Sequence, residues 1–126
     1  MAKAAEVWRV DVTGTADKDI EEIYRWTERR FGAAQADAYA DAIANAIVAL
    51  KAGPRVRGAH PRPDIQTELY TLHLSRFRRR ARHFVVFRIN DAGRRVIGVL
   101  RVLHDAMDLA RHLPADDEEK GASDDR

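Results

Sequence analysis

Two stretches, Phe84 to Ile89 and Val96 to Leu103, are rich in β-branched and aromatic residues and are separated by Asn90-Asp91-Ala92-Gly93. Runs of that composition read as strands, and a polar, glycine-bearing link between them reads as a hairpin turn. The two strands therefore pair antiparallel and sit centrally. Their near-continuous hydrophobicity leaves neither face for water, so both sides of the pair need cover. That requirement limits the fold more than any other feature, because the remaining chain must supply one layer and some further element for the opposite face.

The layer is written upstream. Val7 to Val12 alternates Val7, Arg9 and Asp11 against Trp8, Val10 and Val12, the period of a strand with one buried side. Thr13-Gly14-Thr15 breaks it, and Thr15 is the expected cap of a first helix whose opening turn carries Asp17 and Asp19 at the positive end of the helix dipole. Ile20, Ile23, Tyr24, Thr27 and Phe31 recur at helical spacing until Gly32 supplies a stop. A second, alanine-rich helix follows almost at once, with Ala36, Tyr39, Ala40, Ile43, Ile47 and Leu50 as its stripe and Gly53-Pro54 as its end. So short a link makes the helices antiparallel, and small alanine side chains let them approach each other and a sheet closely. Trp26 and the tyrosines read as core or rim aromatics.

Residues 53–68 contain Pro54, Pro61 and Pro63 without periodicity and are expected to form an irregular surface connection. Glu68 to Leu74 reads as a further strand. His104 to Leu113 reads as a short terminal helix with Met107, Leu109 and Leu113 available to dock, ended by Pro114. The expected fold is thus α+β: an N-terminal strand, a two-helix antiparallel hairpin, a three-stranded antiparallel sheet and a short C-terminal helix. It forms one domain over residues 1–114, followed by a disordered acidic tail over residues 115–126.

Charge is divided unevenly. The net charge of +2 includes six acids and two bases in residues 115–126, a local sum of −4, so the other residues carry +6. Between Arg55 and His83 stand eight arginines and no lysine, opposed only by Asp64 and Glu68. A surface of that kind attracts phosphate or an acidic protein segment, although arginines also serve simply to solubilise a surface or blunt a strand edge. No apolar run reaches the roughly 18–20 residues needed to cross a bilayer, and the N-terminus has no apolar signal core, so a cytoplasmic protein without membrane contact is expected. With no cysteine there is no disulfide or thiolate site. The five histidines lack the close spacing of a metal site, and no metal, cofactor or small-molecule substrate is expected.

Several motifs together resemble the ParE branch of the ParE/RelE toxin superfamily over about residues 7–114. Ala16 to Ile23, A-D-K-D-I-E-E-I, looks like the opening of that family's first helix; Arg62-Pro63-Asp64-Ile65 resembles its R-P-D-[IL] element; Phe87-Arg88-Ile89 resembles its third-strand pattern. The best match is Arg101 to Leu113, R-V-L-H-D-A-M-D-L-A-R-H-L. The resemblance implies the toxin of a type II toxin–antitoxin system, not itself an enzyme. Such a toxin inhibits DNA gyrase, is neutralised in a hetero-oligomer with a cognate ParD-like antitoxin, and reaches operator DNA only through that antitoxin. Its working residues would then be exposed charges: Arg76, Arg78, Arg79, Arg80 and Arg82 in the connection before the central hairpin, and Asp105, Asp108, Arg111 and His112 in the terminal segment. The run Ser75 to Arg82 matches the family pattern poorly, so the arginine assignments rest on charge.

Two alternatives stand beside this one. A RelE-like, ribosome-dependent mRNA endoribonuclease needs an acid, a base and cations around the phosphorane. Arg82 and Arg101 would clamp phosphate and His104 would transfer protons, with Asp105 in an unfavourable place beside them. A basic nucleic-acid-binding module is favoured by the arginines, but the chain carries no helix-turn-helix or zinc motif, and Phe77 is the lone aromatic within the basic run.

Overall fold

The computed structural model describes residues 7–113; the expected acidic tail, residues 115–126, lies outside the described residues. In chain order the elements are β1 (Arg9–Val12), α1 (Gly14–Phe31), α2 (Ala33–Ala49), β2 (Ala59–Pro61), β3 (Leu69–His73), β4 (His83–Asp91) and β5 (Val96–His104). Single turns of 3-10 helix occupy Leu50–Ala52, Leu74–Arg76 and Leu109–His112.

Thr13, rather than the expected Thr15, caps α1. Its hydroxyl accepts the Ala16 N–H at 3.1 Å and donates to the Leu100 carbonyl at 3.1 Å, so one side chain both starts the helix and ties it to β5. Gly32 alone links the helices. At φ 94° it occupies backbone space that side-chain-bearing residues avoid, and this tight reversal makes α1 and α2 antiparallel. Tyr24 fastens the hairpin by donating to Asp37 Oδ1 at 2.7 Å.

The strands form one sheet in the order β1-β5-β4-β3-β2, with β1 parallel to β5 and the other pairs antiparallel. Four strands follow the helical hairpin, one more than the three expected, and the expected N-terminal strand is the fifth member of the same sheet. β1 joins it through the crossover made by the helices. β2 lies within the connection read as irregular: three residues ending in proline carry no period, yet they pair with Tyr70 to Leu72 at the sheet edge, where proline is tolerated. The central hairpin turns later than its sequence indicates. Asp91 still belongs to β4, its carboxylate accepts the Arg94 N–H at 3.0 Å, and Arg95 takes the left-handed position at φ 57°.

Both faces of the central strands are covered. Ile43 and Ala46 of α2, Leu50 of the 3-10 turn that follows it and Ala16 of α1 pack on Leu72, Val85, Phe87, Ile97, Val99 and Val102. On the opposite face Leu69, Val86, Leu100 and Leu103 are closed over by Leu109, with Ile65, Phe84 and Leu113 at the margin. The further element is therefore the C-terminal segment together with the 62–66 turn. That segment is not the expected α-helix but turns followed by four residues of 3-10 helix, started by Asp108, whose carboxylate accepts the Ala110 N–H at 3.2 Å. Ten residues are too few to offset helix nucleation, so docking of Leu109 sets the local path. Phe31, read as part of the α1 stripe, is 59% exposed and meets Trp26 edge-on at a centroid distance of 6.0 Å.

Candidate functional site

β1 ends at Val12, opposite Val99, while β5 continues to His104. The far half of β5 therefore has an edge that no strand covers among the described residues. α1 crosses it, and Asp19 satisfies it: its Oδ2 accepts the Val102 N–H at 2.9 Å and Arg101 Nε at 2.7 Å, while Oδ1 accepts Arg101 Nη2 at 2.9 Å. Asp19, read from sequence as a charge for the helix dipole, is 8% exposed. The remaining Arg101 amino group, Nη1, donates to the His112 carbonyl at 2.9 Å and ties down the end of the terminal segment. Arg101 is thus a structural bracket with its guanidinium committed, not a cation free to clamp phosphate.

At the same end of the sheet β3 and β5 finish in His73 and His104 and β4 begins with His83; His83 and His104 are partners across the β4–β5 ladder, with ring centroids 5.2 Å apart. Each ring has one nitrogen already engaged. His73 Nδ1 accepts the Ser75 N–H at 3.0 Å, and His104 Nδ1 accepts the Ala106 N–H at 3.0 Å. His83 Nδ1 lies 2.6 Å from the Tyr39 hydroxyl, which itself accepts the Arg82 N–H at 3.1 Å. A proton on His83 Nδ1 would leave that hydroxyl hydrogen without an acceptor among the described residues, so the tyrosine donates. All three rings thus carry their proton on Nε2, and their lone pairs are occupied. Burial, with the neighbouring His104 adding to it, pushes His83 down to about 4, and burial raises the Tyr39 hydroxyl above its ordinary value.

Asp105 joins this cluster. Arg82 Nη2 donates to its Oδ1 at 3.1 Å, Arg82 Nε lies 3.2 Å from Oδ2, and His73 Nε2–H donates to Oδ2 at 2.9 Å. Hydrogen bonding from Arg82, then from His73, holds the carboxyl at about 2. Arg82 and Asp105, proposed from sequence as separate contact residues, are therefore each other's partner.

The other sequence candidates fall into two groups. Arg78 donates to Gln35 Oε1 at 2.6 Å, and Arg76 Nε donates to the Arg57 carbonyl at 3.3 Å. Arg79 and Arg80 are exposed and have no partner among the described residues. Arg80 stands at φ 67°, a left-handed backbone that costs a non-glycine residue roughly 1–2 kcal/mol. In the terminal segment Asp108 and Arg111 pair with each other at 3.5 Å on the surface, and His112 contributes its carbonyl to Arg101.

Beside the bracket lies an open groove of about 660 Å³ between α1 and the end of β5. Ile23, Val102, Leu103, Trp26 and Met107 give it apolar walls, and Asp19, Glu22, Arg29, His83, Arg101 and His104 supply its polar groups. Trp26 and Met107 are 49% and 45% exposed, an unusual state for side chains of their size. Sequence reading took Trp26 and Tyr39 for core or rim residues, Met107 for a docking residue, and assigned no role to His73 or His83. Those positions come from separate elements, and no spacing along the chain marks their meeting. Among the described residues no group of three or more His, Asp or Glu side chains is placed to hold a metal ion, and no helix is long and apolar enough to cross a membrane.

Comparison with known proteins adds two positive results. A family model described as the ParE toxin of a type II toxin–antitoxin system, parDE, matches residues 10–109. A solved structure titled as the chromosomal ParDE toxin–antitoxin system from P. aeruginosa superposes with a TM-score of 0.61 at 20% identity, covering 79% of this chain and 97% of that one. The likeness to that structure concerns the fold. No curated protein matches.

Proposed function

This chain belongs to the ParE toxin family of type II toxin–antitoxin systems, and from that premise we propose that it acts by docking on DNA gyrase and is silenced by a ParD-like antitoxin. The observation that carries a docking role is the set of three histidines whose accepting nitrogens are all occupied. Metal-free cleavage of RNA needs a base with a free lone pair facing the 2′-hydroxyl. His104 has given Nδ1 to the Ala106 N–H, and the arginines that would clamp phosphate, Arg82 and Arg101, are committed to Asp105 and Asp19. These bonds favour the gyrase reading over the ribonuclease one.

The groove supplies the antitoxin side of the proposal. Interfaces draw most of their affinity from a few large apolar or aromatic anchors inside a polar rim. Trp26 and Met107, flanked by Arg29, Glu22, His83 and His104, match that description and suit an amphipathic segment that folds as it binds.

Induced expression followed by two assays on the same cells tests the target. Accumulation of gyrase-cleaved DNA with intact transcripts is the expected outcome. Ribosome-dependent transcript cutting with normal supercoiling refutes the proposal.

A further inference from the structure

Carboxylates pair with Arg62, Arg82 and Arg101, and Arg78 is bonded to the neutral amide of Gln35. Of the arginines in residues 55–82, Arg55, Arg57, Arg76, Arg79 and Arg80 are left exposed without a carboxylate among the described residues, all of them on two adjoining loops. The bond from Arg76 Nε to the Arg57 carbonyl brings the 54–58 turn against the 74–82 loop, and the Arg76 stem lies directly over Gly58, where an added Cβ would come within 2.9 Å of it. Arg55, Arg57, Arg76, Arg79 and Arg80 are all exposed there, and none has an ion-pair partner among the described residues. No Asp or Glu occurs in residues 42–63 or 69–90, so neither loop brings a countercharge.

The same face lacks what a protein partner would need. Among the described residues the exposed large hydrophobic ones are Val7, Trp26, Phe31, Val48 and Met107, and none stands on either loop. The apolar residues that the loops do carry face inward: Leu74 and Ala81 are buried in the main core, and Val56 and Phe77 pack against it. Protein interfaces depend on desolvated apolar anchors, whereas a phosphate backbone is held by cations and hydrogen-bond donors alone. Arg80, moreover, keeps its charge in a left-handed conformation that glycine would occupy without strain.

We infer that the face formed by Arg55, Arg57, Arg76, Arg79 and Arg80 binds the sugar-phosphate backbone of duplex DNA directly and without regard to sequence. The inference goes beyond the proposed function and departs from the expectation that this chain reaches DNA only through an antitoxin. It needs neither the groove nor the histidine cluster.

The test is fluorescence anisotropy of a labelled duplex of arbitrary sequence, titrated with the full chain at increasing potassium chloride. Four or five phosphate contacts give a log–log salt slope of about −4, equal for unrelated sequences. Arg79→Gln with Arg80→Gln flattens that slope by about 2 and weakens low-salt binding at least ~10-fold, while Arg25→Gln on α1 changes neither. Circular dichroism confirms that the variants are folded. Absence of salt-dependent binding overturns the inference, as does an equal loss in Arg25→Gln. Tighter binding of polyglutamate than of duplex through Arg79 and Arg80 also overturns it, and identifies an acidic protein surface instead. Gyrase trapping is scored separately. A chain that traps gyrase but does not bind duplex sinks this inference and leaves the proposed function standing; a chain that binds duplex but ignores gyrase does the reverse.

Discussion

Replacing Asp19 by alanine removes three acceptor contacts at once, and the cost follows from what is left behind. The Val102 N–H, buried at the bare edge of β5, loses its partner, and an unsatisfied buried donor costs about 1–3 kcal/mol. The Arg101 guanidinium keeps the His112 carbonyl but loses both carboxylate bonds, and breaking a buried pair from one side costs roughly 3–5 kcal/mol. Arg101 retains 22% of its side-chain exposure, so water recovers part of that loss. A total of about 4 kcal/mol is expected, or a melting-temperature fall on the order of 12–20 °C for a domain of this size. Urea denaturation at neutral pH, followed by circular dichroism, measures it. Arg101→Met should cost a similar amount, and the double variant should recover at least about 2 kcal/mol of the summed losses, since it leaves no orphaned charge. A loss below about 1 kcal/mol in Asp19→Ala, or strict additivity in the double variant, refutes the view that the pair holds α1 and the terminal segment to β5.

Acid should act on the histidine cluster first: with His83 held at about 4 against an ordinary 6.5, the unfolded chain takes up its proton first, so stability present at neutral pH falls as pH drops through that interval. After allowance for solvent screening of this partly exposed ring the loss should be at most about 2 kcal/mol, and His83→Gln should flatten the stability profile between those pH values. Asp105, held at about 2, adds a separate loss only below the ordinary carboxylate range, which Asp105→Asn should abolish. Gly98→Ala should cost no more than about 1 kcal/mol in thermal melts, because the methyl group meets the outer end of the exposed Asn90 side chain, which can turn into solvent. Trp26→Ala and Met107→Ala should each weaken antitoxin binding by roughly 10–100-fold in calorimetry while leaving stability nearly unchanged, since both side chains are half exposed. Arg80→Gly should raise stability by about 1 kcal/mol through release of its left-handed backbone.

Periodicity and composition along the chain determined the layers of this protein. The run of apolar residues in β4 and β5 demanded cover on two faces, the helical stripes supplied one cover, and Gly32 and the 90–95 turn set the reversals, all of which depend on neighbours close in sequence. The short edge strand β2, the parallel placement of β1 and the non-helical terminal segment escaped that logic, because three to five residues carry too little pattern and their conformation is settled by what they pack against. The same division holds at the site. Sequence could say that arginines crowd residues 55–82 and that Arg101 to Leu113 resembles a toxin signature, but it could not say which charges remain available. Arg101 is spent on Asp19 from 82 positions away, Arg82 on Asp105, and three histidines on donors from their own loops and from α2, while Arg79 and Arg80 stay open to solvent. A side chain's charge is a property of its residue type, whereas its freedom to meet a partner depends on distances that only the folded chain brings about.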